Sequence, residues 1–231
     1  MKILAIDSSA VSCSVAVSED KQILAAQFVN NGLTHSQTLM PMVDAVLKKA
    51  GLSAADIDLF AVTNGPGSFT GVRIGVAAVK GLAFAHGTPC IGLSTLEVIA
   101  ANVSKCDAIA IACMDARRNQ VYTATFESGS LKRLSADEAC AIKDMTERIN
   151  SYNQPVYLAG DGAKLAYEVL KEQCPRVHLV DESELYQDAR RACALAYEYK
   201  DKAYESALLV PRYLRLSQAE RELKKRKDKS K

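Results

Sequence analysis

Two short segments hold residues whose types and spacing could do phosphate chemistry. Ile6-Asp7-Ser8-Ser9 closes an apolar run that begins at Met1. An acid at a strand end, followed by a small-residue turn and a returning strand, can hold Mg2+ while backbone N–H groups cradle a phosphate. This turn reads Ser-Ser-Ala and lacks the glycine that lets a phosphate approach the backbone. A tight turn in which Asp7 and Ser9 bond their own backbone competes for the same residues. Asp161 lies between Gly160 and Gly162 after a later strand, so it could face a second phosphate or serve only as a turn residue. Asp7 and Asp161 with Mg2+ would make a small ATPase or phosphotransferase, which stands as the enzyme alternative.

Gly65-Pro66-Gly67-Ser68-Phe69-Thr70-Gly71-Val72-Arg73 sits between an apolar strand and a helix start, where anions bind readily. It lacks the lysine of a P-loop, and its G-x-G-x-x-x-G spacing is one residue too long for a dinucleotide fingerprint. The helix that follows is apolar nearly all round, with Gly71, Gly75 and Ala78 on one bare face and Val72, Val76 and Val79 on another. Such a helix is expected to be covered on more than one side. Its three glycines at 71, 75 and 81 each cost about 0.5–1 kcal/mol against alanine. Close contact with helix 34–50, or with a helix of another chain, is the expected compensation.

Other chemistry finds little support. His35, His86 and His178 share no helical metal-ligand spacing, and the seven cysteines include no C-x-x-C pair. Spread and odd in number, those cysteines read as core thiols of a reducing cytoplasm rather than a disulfide framework. Lys2 followed by Ile3–Ile6 and Asp7 builds no signal-peptide core, and no uncharged apolar run reaches the roughly 20 residues of a membrane span. The formal charge of +2 hides a division: the last twenty residues carry 9 basic and 3 acidic side chains. That basic tail, 217–231, could meet RNA phosphates or stay solvated.

The elements that must position these residues follow from periodicity. Met1–Asp7, Ser12–Ser18 and Gln22–Val29 read as an opening meander, and Thr34–Ala50 as a helix stopped by Gly51. Ile57–Val62 is a buried strand, Phe69–Ala85 a helix, Pro89–Gly92 a strand and Ser94–Val103 a helix. A second unit repeats the order, with strands at Ala108–Met114, Gln120–Phe126, Val156–Ala159 and Val177–Val180 and helices at 163–173 and Asp188–Tyr204. Strands then helices, twice over, predict an α/β fold of two related lobes, 1–104 and 105–216.

Thr63 through Gly75, with Met1–Ser9, Thr34-His35-Ser36 and Pro211-Arg212-Tyr213-Leu214-Arg215, resembles the bacterial TsaB (YeaZ) family across nearly the whole chain. The resemblance implies an actin-like (ASKHA, ribonuclease H-like) two-lobe fold and a cytoplasmic, non-catalytic subunit with no cofactor or metal of its own. It implies TsaD as heterodimer partner, TsaE as a third component, and a homodimer when alone. TsaD transfers threonylcarbamoyl to the adenosine beside the anticodon, so tRNA contact would be indirect and nucleotide could sit at the partner interface. Helices 34–50 and 69–85 would dock the partner, giving Leu39, Val43, Val46, Gly71, Gly75, Ala78 and Leu82 as candidate contacts. Asp7, Ser8 and Ser9 would be a vestigial phosphate turn. One departure is chemical. TsaD carries H-x-x-x-H on the helix that here begins Ser94-Thr95-Leu96-Glu97-Val98-Ile99, and neither Thr95 nor Ile99 can replace an imidazole.

Overall fold

The computed structural model describes residues 1–215, so the tail expected over 217–231 lies outside the described residues. Five strands form the first sheet: β1 (Lys2–Asp7), β2 (Cys13–Glu19), β3 (Gln22–Val29), β4 (Leu59–Gly65) and β5 (Cys90–Ser94). Its order is β3-β2-β1-β4-β5, with β1, β2 and β3 antiparallel and β1, β4 and β5 parallel. The second sheet holds β6 (Ile109–Asp115), β7 (Gln120–Glu127), β8 (Glu138–Ala141), β9 (Val156–Ala159) and β10 (Val177–Leu179). Its order, β10-β9-β6-β7-β8, repeats the first, with β6 in the central place of β1. The two expected lobes are therefore one topology used twice.

Helices cover these sheets. They are α1 (His35–Ala50), α2 (Phe69–His86), α3 (Thr95–Ala100), α4 (Thr146–Asn150), α5 (Ala163–Leu170), α6 (Glu182–Leu185) and α7 (Ala189–Glu198). Leu4, Ile6, Val15 and Val17 on one face of the first sheet pack with Leu39, Val43 and Val46 of α1 and Val72, Val76 and Val79 of α2. Ile3, Ala5, Leu59, Ala61, Ile91 and Leu93 on the other face pack on α7. Coverage on both faces explains why β1 and β4 read as unbroken apolar runs. The second sheet buries Ile111 and Phe126 among α3 and α5, through Ile99, Ala166 and Leu170.

This exchange of helices revises the expected boundary at residue 105. Helix α3 follows β5 in sequence yet packs on the second sheet, while α7 returns to the first. The segment after α7 continues there: Cys90 and Tyr204 exchange backbone hydrogen bonds of 2.9 and 3.0 Å, and Leu209 is buried beside α2. Pairing with β5 extends the chain, which ends the helix expected to reach Tyr204 at Glu198. Strand β8 went unforeseen because Glu-Ala-Cys-Ala has weak strand preference and every residue is half-buried.

The glycines of α2 divide by surroundings. A Cβ at Gly71 would overlap the Ser8 carbonyl oxygen, and one at Gly75 would stand 2.5 Å from Ser8 Oγ and 3.2 Å from Val62. The bare face thus meets the β1–β2 turn and β4, and at Gly71 also the His35 ring at the start of α1, 3.2 Å from where a Cβ would stand. Gly81 faces open space. Gly71→Ala should lower unfolding free energy by more than about 1 kcal/mol, whereas Gly81→Ala should raise it by about 0.5–1 kcal/mol. Urea denaturation of the two variants reads both signs, and destabilisation by Gly81→Ala would refute this division.

Candidate functional site

The first strand-end acid is sealed by its own chain. Asp7 is fully buried, and its carboxylate accepts from Ser9 N–H at 3.1 Å and from Ser9 Oγ at 3.1 and 3.2 Å. Burial raises its pKa above the ordinary carboxylate range, opposed by hydrogen bonding to the ionised form. Thr63 and Gln187 face the same carboxyl without reaching hydrogen-bond geometry to it. Over the turn, Ser68 N–H donates to Ser9 C=O at 2.7 Å, and a Cβ on Gly67 would overlap that oxygen. Ser8 Oγ donates to Gly71 C=O at 2.9 Å, and His35 Nε2 lies 2.7 Å from Ala10 C=O. The Ser9 N–H that a phosphate would need is thus directed to Asp7, and loop 65–68 bonds the turn through Ser9 C=O.

The second lobe sets Asp161 in the turn after β9, against Asp115 at the end of β6. Asp161 Oδ1 accepts from Asp115 N–H at 3.1 Å, and Gly160, at φ 110°, presses so close to Cys113 C=O that a Cβ would overlap it. Burial, then the charges of Asp115 and Asp7, push the Asp161 carboxyl up to about 6. Asp7 is thus sealed, whereas Asp161 is half-buried. The turn from β6 to β7 holds Arg117, Arg118 and Asn119 all at positive φ, tied by Arg117 N–H to Asp115 Oδ1 at 2.6 Å.

The Thr63–Gly75 and Pro211–Arg215 segments meet in space. The Tyr213 ring stacks on Phe69 at 4.5 Å, and Arg73 Nε donates to Tyr213 OH at 2.7 Å. Arg212 N–H donates to Asn64 C=O at 2.6 Å, and a Cβ on Gly65 would overlap the Arg212 carbonyl. Arg215 then reaches the second lobe, donating to Gln120 Oε1 at 2.6 Å and Ala116 C=O at 3.3 Å. Residues 210–215 form a strap from the start of α2 to the β6–β7 turn.

The candidate partner contacts require correction. Leu39, Val43 and Val46 are buried beneath α1 against the chain's own sheet, and Gly71 and Gly75 are buried against Ser8. Ala78 and Leu82 are half-buried and pack on the same core. Apolar periodicity found the inward face of each helix, which the first sheet already covers. The outward face was missed: Met40 and Ala45 on α1, and Ala77, Gly81 and Phe84 on α2, are exposed, Phe84 by 82%. Its sequence signal is an aromatic residue and small residues where a solvated helix face carries charge. Among the histidines, His86 and His178 are exposed. Thr95 and Ile99 are both buried in α3, Ile99 within the second core. Cys13, Cys113 and Cys193 are buried with thiols pushed up to about 12, while Cys106 is exposed.

A doubled β-sheet order with a strand-end acid in each lobe defines an actin-like, two-lobed α/β protein. Residues 31–223 match the family model described as TsaD, tRNA N6-adenosine threonylcarbamoyltransferase. TsaB of Bacillus subtilis, a tRNA threonylcarbamoyladenosine biosynthesis protein, is 32% identical and aligns with 95% of this chain and 96% of its own. The solved YeaZ of Pseudomonas aeruginosa superposes with a TM-score of 0.77 at 26% identity, covering 92% of this chain and all of that one. A tRNA N6-adenosine threonylcarbamoyltransferase of Erythrobacter litoralis is 33% identical, but over only 41% of this chain and 32% of that protein. The chain belongs to the TsaB (YeaZ) family.

The raised Asp161 carboxyl has a consequence for stability. The folded state holds its proton more tightly than the unfolded chain, so stability falls as pH climbs from about 3.8 to about 6. Asp161→Asn keeps the oxygen that Asp115 N–H needs and removes the titration. The difference in unfolding free energy between variant and wild type should widen across that window in the variant's favour. Urea melts at stepped pH test this, and a difference independent of pH would refute the assignment.

Proposed function

We propose that this protein is a non-catalytic partner of a TsaD-type transferase in threonylcarbamoyl modification of the adenosine beside the anticodon in tRNA. The observation that carries the reading is the outward face of the α1–α2 pair. Helix α2 turns Ala77, Gly81 and Phe84 to solvent beside Met40 of α1, and Leu208 and Val210 extend the apolar edge at 67% and 58% exposure. Lys80 fixes that edge by donating to the Ala207 and Leu209 carbonyls, both at 3.2 Å. Small residues around one large aromatic permit close helix–helix approach with an anchor, and apolar patches of this kind mark protein contacts.

Docking would act by population shift: a partner whose competent lobe arrangement presents a groove for Phe84 is held in that arrangement. The same face could pair two copies of this chain, so homodimer and heterodimer compete. TsaE would join as a third component, tRNA would be engaged through the transferase, and the setting is the cytoplasm. Any nucleotide belongs at the partner interface in this reading. The alternative, an ATPase or phosphotransferase using Asp7 and Asp161 with Mg2+, requires an open Asp7, whereas Ser9 N–H and Oγ already bond its carboxylate.

The decisive experiment is reconstitution of threonylcarbamoyl transfer with a TsaD-type enzyme, with and without this chain. The chain should be inert alone and should raise transfer when added. Phe84→Glu and Ala77→Arg, both at solvent-facing positions, should weaken the complex by about 2 kcal/mol or more while melting temperature stays within a few degrees. Gly75→Leu would test folding instead, since Ser8 fills that space. Full transferase activity without the chain, or ATP turnover by the chain alone that Asp7→Asn abolishes, would overturn the reading.

A further inference from the structure

A cavity of about 530 Å3 lies where β5 runs into α3, and neither the strand-end acids nor the outward helix face accounts for it. Its volume is within the range of about 300–1,000 Å3 typical of small-molecule sites. Three parts of the chain converge on it: the β5–α3 junction, the β7–β8 connection and the segment after α7. Ile91 and Leu93 of its wall belong to the layer packed on α7, while Cys90 between β4 and α2 belongs to the opposite layer. The cavity thus sits at the β5 edge of the first sheet, walled by Ile91 and Leu93 from the layer packed on α7 and by Tyr204 from the layer packed on α1 and α2.

Charge within it is divided. On one side, Tyr199 OH donates to Glu97 Oε1 at 2.5 Å and Ser94 Oγ donates to Asp137 Oδ2 at 2.9 Å. Arg133 bonds Asp137 at 2.5 Å and stands 3.8 Å from Glu97, so two carboxylates share one guanidinium. On the other side are Lys202 and Arg212. Lys202 Nζ rests 4.5 Å over the Tyr199 ring, and neither cation makes an ion pair among the described residues. Tyr204 stands near Arg212, and its hydroxyl oxygen accepts from Gly92 N–H at 3.1 Å, leaving its own proton to donate. Gly92 permits this arrangement, since a Cβ there would stand 3.0 Å from that hydroxyl and 2.5 Å from Asn64 Nδ2.

We propose that this cavity binds a small amphoteric metabolite, its oxyanion end held by Lys202, Arg212 and the Tyr204 hydroxyl and its amine or hydroxyl end held by Glu97 and Asp137. Arginine's planar fork suits either carboxylate or phosphate, whereas the acidic side rejects a second negative charge. Polyanions are therefore disfavoured, and a zwitterion matches both halves. Because Lys202 and Arg212 are exposed, replacing them leaves the core intact.

The test is calorimetric titration of the full chain with phosphoethanolamine and with β-alanine, which carry the two kinds of oxyanion on a short amine. Inorganic phosphate and ethanolamine serve as half-ligands. At least one zwitterion should bind saturably and more tightly than either half, and the better headgroup identifies phosphate or carboxylate. Lys202→Gln with Arg212→Gln should weaken binding about tenfold or more, the loss expected for a charge-assisted hydrogen bond. Glu97→Gln should keep oxyanion binding and erase the advantage of the amine. Absence of saturable binding for both zwitterions, equal binding by the doubly substituted chain, or inorganic phosphate binding as tightly as the zwitterions would each overturn the proposal. Circular dichroism of each variant separates loss of fold from loss of site. None of these outcomes bears on docking through α1 and α2.

Discussion

The close backbone contact between the β1–β2 turn and the beginning of α2 governs the rest of the first lobe. Ser8 and Ser9 present carbonyl oxygens to positions 71 and 67, where only hydrogen fits. Ser68 N–H satisfies one of those oxygens, and Ser8 Oγ satisfies the Gly71 carbonyl in return. Buried backbone groups left without such partners would each cost about 1–3 kcal/mol. The mutual satisfaction of turn and helix therefore fixes how α2 approaches the sheet. Once α2 sits that close, α1 beside it is placed by Leu39, Val43 and Val46 filling the remaining groove over β2.

This contact also determines what the strand-end acid can do. In an actin-like lobe, a turn of this position offers backbone N–H groups to a ligand phosphate. Here Ser9 directs its own N–H and hydroxyl to Asp7, and loop 65–68 closes over the result. The acid becomes an internal acceptor whose burial raises its proton affinity. The second lobe differs in degree: Asp161 accepts only one backbone bond and remains half-buried. The strap that carries Tyr213 and Arg215 then ties the α2 start to the β6–β7 turn, so the two lobe edges are held by one segment as well as by packing.

Legibility from sequence followed the kind of force involved. Strands β1 and β4 and helices α1 and α2 were read correctly because burial imposes a period on apolar residues, and the capping glycines 51 and 87 take the left-handed conformation that ends each helix. The same period misled when used to find a docking face: it marks what is covered within one chain, so Leu39 and Gly75 pointed inward. An exposed face carries no apolar period, and Phe84 is the residue whose type stands out there. The exchange of α3 and α7 between lobes was invisible for a related reason. Helix α3 is buried nearly all round, with Leu96 and Ile99 in the second core and Val98 in the first, and nothing local records which sheet each side of α3 or α7 meets. The cavity beside β5 depends on Gly92 and on the side chains of residues 97, 137, 202 and 212, too distant in sequence for any spacing rule to join.

The glycines of α2 serve different ends on its two faces. Gly71 and Gly75 serve an internal contact, which removes them as a reason for α2 to seek a partner. Gly81 has no such duty, yet it lies on the exposed side between Ala77 and Phe84, where lysine or glutamate would suit water and helix propensity better. A solvated helix loses about 0.5–1 kcal/mol to a glycine and gains nothing from an aromatic ring that is 82% exposed. Those residues become favourable only when another backbone lies across them, because absent side chains set how closely it can come. What would reward a second chain is therefore the outward face of α2 at Ala77, Gly81 and Phe84, opposite the face that Gly71 and Gly75 press against Ser8.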